Sequence, residues 1–134
     1  MLIRRINPAE HVVPDENRGY LRLSTKAFSS SSEMPYGMSV DLLKLMTRAG
    51  VDPKLFVTTP KFTASVQFTA GTARTAGLWV GFDPLEKEGN NPENPYHAEV
   101  WSQPRPEKKF TKSQQRSMLN SCQWFVEIPG VQIS

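Results

Sequence analysis

The chain has 134 residues, a formal net charge of +3, 38% hydrophobic residues and a single cysteine, Cys122. This length fits one domain over residues 1–134, and the apolar content supports a packed core, which excludes a globally disordered chain. One cysteine excludes a disulfide-stapled secreted framework, and no apolar run approaches the roughly 18 residues of a membrane span. We therefore expect a cytoplasmic domain with no membrane segment, in which Cys122 is a small buried apolar residue.

Short strands separated by turn-rich loops are predicted in the first part of the chain. The apolar stretches Leu2–Ile6 and Tyr20–Leu23 are typical of strands. The segments between and after them, 7–19 and 24–37, are rich in Pro, Gly, Asn and Ser and are predicted to be loops.

A helix is predicted over 40–49. Ser39 has the chemistry of an N-cap, apolar residues recur at helical spacing, and Gly50 suits the position after the helix. Residues 55–58 are predicted to be extended, because the residue before Pro60 is driven towards β geometry.

The second half of the chain combines further strands with two helices. Strands are predicted at 62–68, 78–82, 96–101 and 124–128, and a short helix at 70–76. The last helix begins at a capping box formed by Thr111 and Gln114. The fold class is therefore α+β, a mixed or antiparallel sheet of about six short strands with two or three helices packed on one face.

The stretch Tyr96-His-Ala-Glu-Val-Trp101 is the most suggestive site for chemistry. Alternate residues of a strand share a face, so His97, Glu99 and Trp101 lie side by side. A carboxylate beside an imidazole orients the ring and favours its charged form, which makes His97 and Glu99 candidate catalytic acid and base. The alternative is a cross-strand salt bridge or a hydrogen-bonded surface pair.

Complete catalytic motifs are not found elsewhere. The H-x-E of His97 and Glu99 also begins the zinc deaminase signature, but one cysteine and two histidines cannot complete that site or a structural zinc site. The sequence contains no Walker-type loop, dinucleotide-binding glycine motif or nucleophile elbow. We therefore expect neither a metal nor a cofactor.

The N-terminal strands carry candidate phosphate-binding residues, namely Arg4, Arg5, Arg22 and Ser24. Arginines beside hydroxyls hold phosphate through forked, charge-assisted hydrogen bonds. Arg, Ser or Thr, and a late Glu on separate strands resemble, in residue type and order, the constellation of NAD-using ADP-ribosyl transfer enzymes. The alternative is that these arginines pair with acidic residues on the rim of the sheet.

Charge is unevenly distributed near the C-terminus. Residues 83–99 carry a net charge of −4 and residues 105–116 a net charge of +4. The basic segment offers candidate nucleic-acid contacts, in which lysine and arginine meet phosphates and an aromatic ring stacks on a base: Arg105, Lys108, Lys109, Phe110 and Lys112. Alternatively, the two segments neutralise each other, and Phe110 packs against the start of the last helix.

Three functional hypotheses follow. The first is a small cytoplasmic binding module that recognises a protein or nucleic-acid partner, with a homo-oligomer as a further option. The second is a metal-independent enzyme on a phosphate-bearing substrate, either RNA (ribonuclease-like) or a nucleotide such as NAD (ADP-ribosyl-transfer-like). The third is structural or inhibitory pairing through segment 83–99. The enzyme hypothesis requires His97, Glu99 and an arginine to converge at a concave site.

Overall fold

The structure, a computed structural model, describes residues 1–102 and 108–133. Its strands are β1 (Leu2–Ile6), β2 (Val12–Asp15), β3 (Tyr20–Leu23), β4 (Met38–Leu42), β5 (Ala64–Phe68), β6 (Leu78–Phe82), β7 (His97–Ser102), β8 (Gln123–Val126) and β9 (Val131–Gln132). Its helices are α1 (Pro8–His11), α2 (Leu43–Arg48), α3 (Pro53–Val57), α4 (Ala70–Thr75) and α5 (Lys112–Ser121), with a short 3-10 helix at Thr25–Phe28.

Six strands form an antiparallel sheet in the order β6-β7-β4-β1-β5-β8, and β2, β3 and β9 form a smaller sheet. The centre of the large sheet is β1, where Ile3 faces Asp41 of β4. On the side away from β1, β4 pairs with β7, where Ser39 faces Glu99 and Asp41 faces His97. This register brings the N-terminal strand, β4 and β7 together.

The main hydrophobic core lies on one face of the large sheet. Strand residues such as Val40 and Phe68 pack there against Phe28 of the 3-10 helix and Met118 of α5. A second, smaller cluster forms around Ile3, whose side chain points to the opposite face, and it is closed by α2 and α3. The predicted α+β class with its six-stranded sheet is confirmed, and the second cluster adds α2 and α3 on the other face.

The helix predicted over 40–49 is wrong in its first part. Residues Met38–Leu42 form β4, and the helix begins only at Leu43. Ser39 is therefore a strand residue and not an N-cap. The segment combines a strand-like alternation, with Met38 and Val40 buried, and an amphipathic helical spacing. Pairing of β4 on both edges outweighs the local helical signal.

The prediction of an extended segment at 55–58 is also wrong, because α3 covers Pro53–Val57. Its N-cap is Asp52, whose side chain accepts hydrogen bonds from the N–H groups of Lys54 and Leu55, while Pro53 occupies the first turn. Asp followed by Pro is a helix-start signal that outweighs the restriction imposed by Pro60.

Loop 7–19 contains α1 and β2, which its prolines and polar residues did not suggest. Asn7 caps α1 through its side-chain oxygen, and Pro14 lies in β2. The capping box of α5 is confirmed, with Thr111 and Gln114 bonding reciprocally. Within residues 1–102 and 108–133, no helix combines the length and apolar character that a membrane crossing requires.

Candidate active site

Polar side chains gather on the face of the large sheet opposite the main core. Asp41 of β4 lies opposite His97 of β7, and Ser39 lies opposite Glu99. Arg5 of β1 is on the same face as Ile3, the residue that pairs with Asp41. The alternation that buries Val40, Ala98 and Val100 in the main core therefore sends these polar residues to the other side.

His97 and Glu99 form a close pair, as the sequence predicted. The Nε2 atom of His97 lies 3.3 Å from Oε1 of Glu99, and its Nδ1 atom lies 2.7 Å from the main-chain oxygen of Asp83. Ser39 donates its hydroxyl hydrogen to the same Glu99 oxygen at 3.2 Å. The His97 side chain is 6% exposed and that of Glu99 is 20% exposed, so Glu99 is the member of the pair that solutes reach.

The pair favours a charged imidazole. Burial opposes the charge, but the hydrogen bond to Glu99, the bond to the Asp83 carbonyl and the two neighbouring carboxylates outweigh it and raise the pKa of His97. His97 therefore keeps its positive charge to higher pH than an isolated histidine would.

Asp83 completes a group of three potential metal ligands, since one ligand atom from each of Asp83, His97 and Glu99 lies within 4.8 Å of the others. However, Nδ1 faces Asp83 and Nε2 faces Glu99, so the ring stands between the two carboxylates. A ring placed in this way suits a shared proton better than one cation held by all three residues.

Glycines allow the strands and loops around Glu99 to approach closely. A Cβ atom at Gly37 would collide with Oε2 of Glu99, and one at Gly81 would collide with the ring of Trp101. Trp101 stacks on Trp79 of the edge strand, with ring centroids 5.4 Å apart. Gly37 and Gly81 thus leave the room in which Glu99 and Trp101 sit.

A buried ion pair borders the site. Arg5 donates two hydrogen bonds to the carboxylate of Asp41, at 2.9 and 3.3 Å, and Asn94 donates a third at 2.7 Å. Asp41 is only 3% exposed. The charge of Arg5 is thus neutralised, and Asn94 ties loop 83–95 to the sheet beside His97.

Arg4 is held differently. Its Nε atom donates to the carbonyl of Ala27 at 2.9 Å, and one terminal nitrogen donates to the carbonyl of Ser39 at 3.1 Å. Burial lowers the pKa of Arg4 to about 10, against the opposing charges of Glu99 and Asp41, so the guanidinium stays charged at neutral pH. Hydrogen bonds to carbonyls fix it in place without supplying a negative charge.

Three cavities meet at Ser39. The "serine cavity", about 720 Å³, contains Arg4 and Ser31. The "Glu99 cavity", about 300 Å³, shares Ser31 and Ser39 with it. The "His97 cavity", about 310 Å³, is lined by His97 and Arg5 and shares Arg4 and Ser39 with the serine cavity. His97, Glu99 and two of the predicted arginines therefore line three neighbouring cavities that have Ser39 in common.

The other two predicted phosphate ligands lie elsewhere. Arg22 belongs to the small sheet and lies 3.5 Å from the carboxylate of Asp15, which is one of the acidic partners expected for it. Ser24 is 7% exposed, and its hydroxyl oxygen accepts the N–H of Lys26 at the start of the 3-10 helix.

The basic segment does not present the aromatic ring expected for base stacking. Phe110 is 6% exposed and belongs to the main core, so the prediction of an exposed ring is wrong and the packing alternative describes it. Lys108 and Lys109 are exposed, with Lys109 over the ring of Tyr36. Lys112 donates to the hydroxyl of Thr25. Arg105 lies outside the described residues.

Comparison of the chain with protein families, curated proteins and solved structures gives no significant match. Its function therefore has to be argued from the geometry of the site.

Several residues of the region were not predicted to belong to a functional site: Ser39, Asp41 and Asn94 around the pair, and His11, Lys26 and Gly37 around the serine cavity. Asn94 precedes Pro95 in a loop, and this residue pair is typical of a turn, so the sequence does not indicate a role for Asn94 in a site. The signal available for Asp41 was its strand-like alternation with Ser39, once the segment is recognised as β4 rather than as a helix.

Proposed function

We propose that the protein is an enzyme that cleaves a phosphate-bearing substrate of nucleotide size by acid–base chemistry at Glu99, with a charged His97 beside it. The observation that carries this proposal is the meeting of three cavities at Ser39, with a charged arginine on one side and the His97–Glu99 pair on the other. Convergence of these groups at a concave site was the requirement set by the enzyme hypothesis.

Glu99 is the group that contacts the substrate in this proposal. Its carboxylate accepts a proton from water, or from a substrate hydroxyl, while that oxygen bonds to the reacting atom. The bond between the reacting atom and the leaving oxygen breaks, and Glu99 returns the proton to the leaving oxygen. One product thus carries the attacking oxygen, and the other carries the proton. Ser39 holds Glu99 by its hydrogen bond, and His97 provides the positive charge behind it.

The arginines have separate roles. Arg4, which borders both the serine and His97 cavities, neutralises the phosphate. Arg5 is already neutralised by Asp41, and it acts by holding the strand and loop 83–95 in place. The alternative function, a binding module for a nucleic-acid partner, loses the support of Phe110 because that ring is in the core.

The test is conversion of a substrate panel. The wild-type protein is incubated with AMP, ADP, NAD and a short RNA oligonucleotide, and the products are followed by phosphorus NMR and mass spectrometry. A double variant carrying His97→Gln and Glu99→Gln, purified in the same way, controls for contaminating enzymes. We expect at least one compound to be converted by the wild type alone. Absence of conversion, or equal conversion by the variant, would contradict the proposal.

A further inference from the structure

The serine cavity has a volume of about 720 Å³. This volume falls within the range of roughly 300–1,000 Å³ that is typical of small-molecule sites. It exceeds what a bare phosphate needs, so the volume suits an anion that carries a larger organic group.

Arg4 gives the cavity a positive charge that no carboxylate compensates directly. Within residues 1–102 and 108–133, no acidic side chain forms an ion pair with Arg4, whereas Arg5, Arg18 and Arg22 each have one. Arg4 as a residue is half-buried, and its guanidinium donates hydrogen bonds to two main-chain carbonyls. A charged side chain that is partly removed from water is normally paired with an opposite charge. A ligand with an anionic group would supply that charge to Arg4.

His11 is an independent indication of a ligand. It is 7% exposed, and its Nδ1 atom accepts the main-chain N–H of Asn7 at 3.0 Å. Burial first, and the nearby charge of Arg4 second, lower the pKa of His11 to about 4, so at neutral pH the ring is uncharged and its proton is on Nε2. That N–H makes no hydrogen bond to the described residues and is not among their fully buried unpartnered atoms. A neutral donor is therefore left available on a wall of the cavity.

Hydroxyl groups on the serine loop add further donors. The hydroxyl oxygens of Ser30 and Ser31 accept main-chain N–H groups, from Phe110 and Glu33 respectively, which leaves their hydrogens free to be donated. Lys26 lies on the same wall and is exposed. Glu10 is the acidic residue of the lining, and it is exposed, so cations outnumber anions around the cavity.

We propose that the serine cavity binds the phosphate of a nucleotide-sized ligand through Arg4, Lys26, His11 and the hydroxyls of Ser30 and Ser31. This inference rests on the proposed function in one respect: the ligand is the substrate whose reacting end reaches Glu99 through the shared boundary at Ser39 and Ser31. It assigns the phosphate to residues of the 3-10 helix and the serine loop, and not to Arg22 and Ser24.

The experiment is calorimetric titration of the full chain with inorganic pyrophosphate, which supplies the anionic part alone. Lys26→Glu is expected to weaken binding by about 10-fold or more, because it replaces a charged hydrogen-bond donor to the phosphate with a negative charge. Lys44→Glu, an equal charge change at an exposed site on α2, is the matched control and is expected to leave the affinity unchanged. Both lysines are exposed, so the variants are expected to fold, which circular dichroism checks.

The outcomes separate this inference from the proposed function. Binding that is lost in Lys26→Glu and kept in Lys44→Glu supports the cavity, and it does so even if no compound of the substrate panel is converted. Absence of pyrophosphate binding to the wild type, or an equal loss in both variants, overturns the assignment of the phosphate to this cavity. Glu99→Gln is expected to retain pyrophosphate binding, with an affinity equal to or above that of the wild type, because Glu99 lines the neighbouring cavity and the substitution removes a negative charge near Arg4.

Discussion

Glu99→Gln lowers the turnover of the converted substrate by about 10²–10⁴-fold, the range expected for loss of a general acid–base group. The amide cannot accept a proton at neutral pH, yet it has nearly the same shape and can still accept the hydrogen bond from Ser39. We therefore expect the loss in kcat, with the melting temperature close to that of the wild type and the pyrophosphate affinity retained or raised. Steady-state kinetics and calorimetry on the same preparation measure both.

Glu127→Gln is the matched control for this variant, since it makes the same chemical change at an exposed position after β8. A Glu99→Gln protein as active as Glu127→Gln would refute the role assigned to Glu99. The pH profile adds a second readout. Because its surroundings raise the pKa of His97, its positive charge persists to higher pH than that of an isolated histidine, and activity should fall as the pH rises through that pKa.

Asp41→Ala lowers the free energy of unfolding by about 3 kcal/mol, the scale expected when one partner of a buried ion pair is removed. The substitution leaves the guanidinium of Arg5, whose side chain is 25% exposed, without its carboxylate, and it leaves the side-chain amide of Asn94 without an acceptor. Urea denaturation followed by tryptophan fluorescence gives the difference.

A double variant separates the contribution of the ion pair to the free energy of unfolding from the effect of removing side-chain volume. When Arg5→Met is combined with Asp41→Ala, no unpaired charge remains, so the destabilisation should be smaller than the sum of the two single effects. Strict additivity, or a change below about 0.5 kcal/mol for Asp41→Ala, a value usual for surface substitutions, would mean that the pair does not hold the site together.

The predicted strands are present because each sends apolar side chains into the main core. Leu23 of Tyr20–Leu23, Leu78 of Leu78–Phe82 and Ala98 of the strand of His97 and Glu99 are examples. The error at Ser39 arose where apolar residues satisfy both the strand and the helix period. Whether this segment forms a strand or a helix depends on its pairing with β1 and β7, whose residues are far away in the chain.

Some residues of the candidate site could likewise be predicted from local spacing, whereas others depend on contacts between distant parts of the chain. His97 and Glu99 were predictable together because two residues of one strand separated by one position share a face. The hydrogen bonds from Arg5 and Asn94 to Asp41 join residues 36 and 53 positions apart and depend on the strand order β7-β4-β1. Arg22 has the same side chain as Arg4, and only the sheets in which they lie give them different surroundings.

The most direct test of the account is an NMR titration of the two imidazole rings, followed through their nitrogen shifts with and without pyrophosphate. We expect the pKa of His97 to lie above its ordinary value of 6.5 and pyrophosphate to raise it further, since an anion near Arg4 adds negative charge beside the His97–Glu99 pair. We also expect His11 to be neutral at pH 7, with its proton on Nε2. A His97 pKa at or below 6.5 that pyrophosphate leaves unchanged would contradict the claim that the serine cavity and the pair form one site.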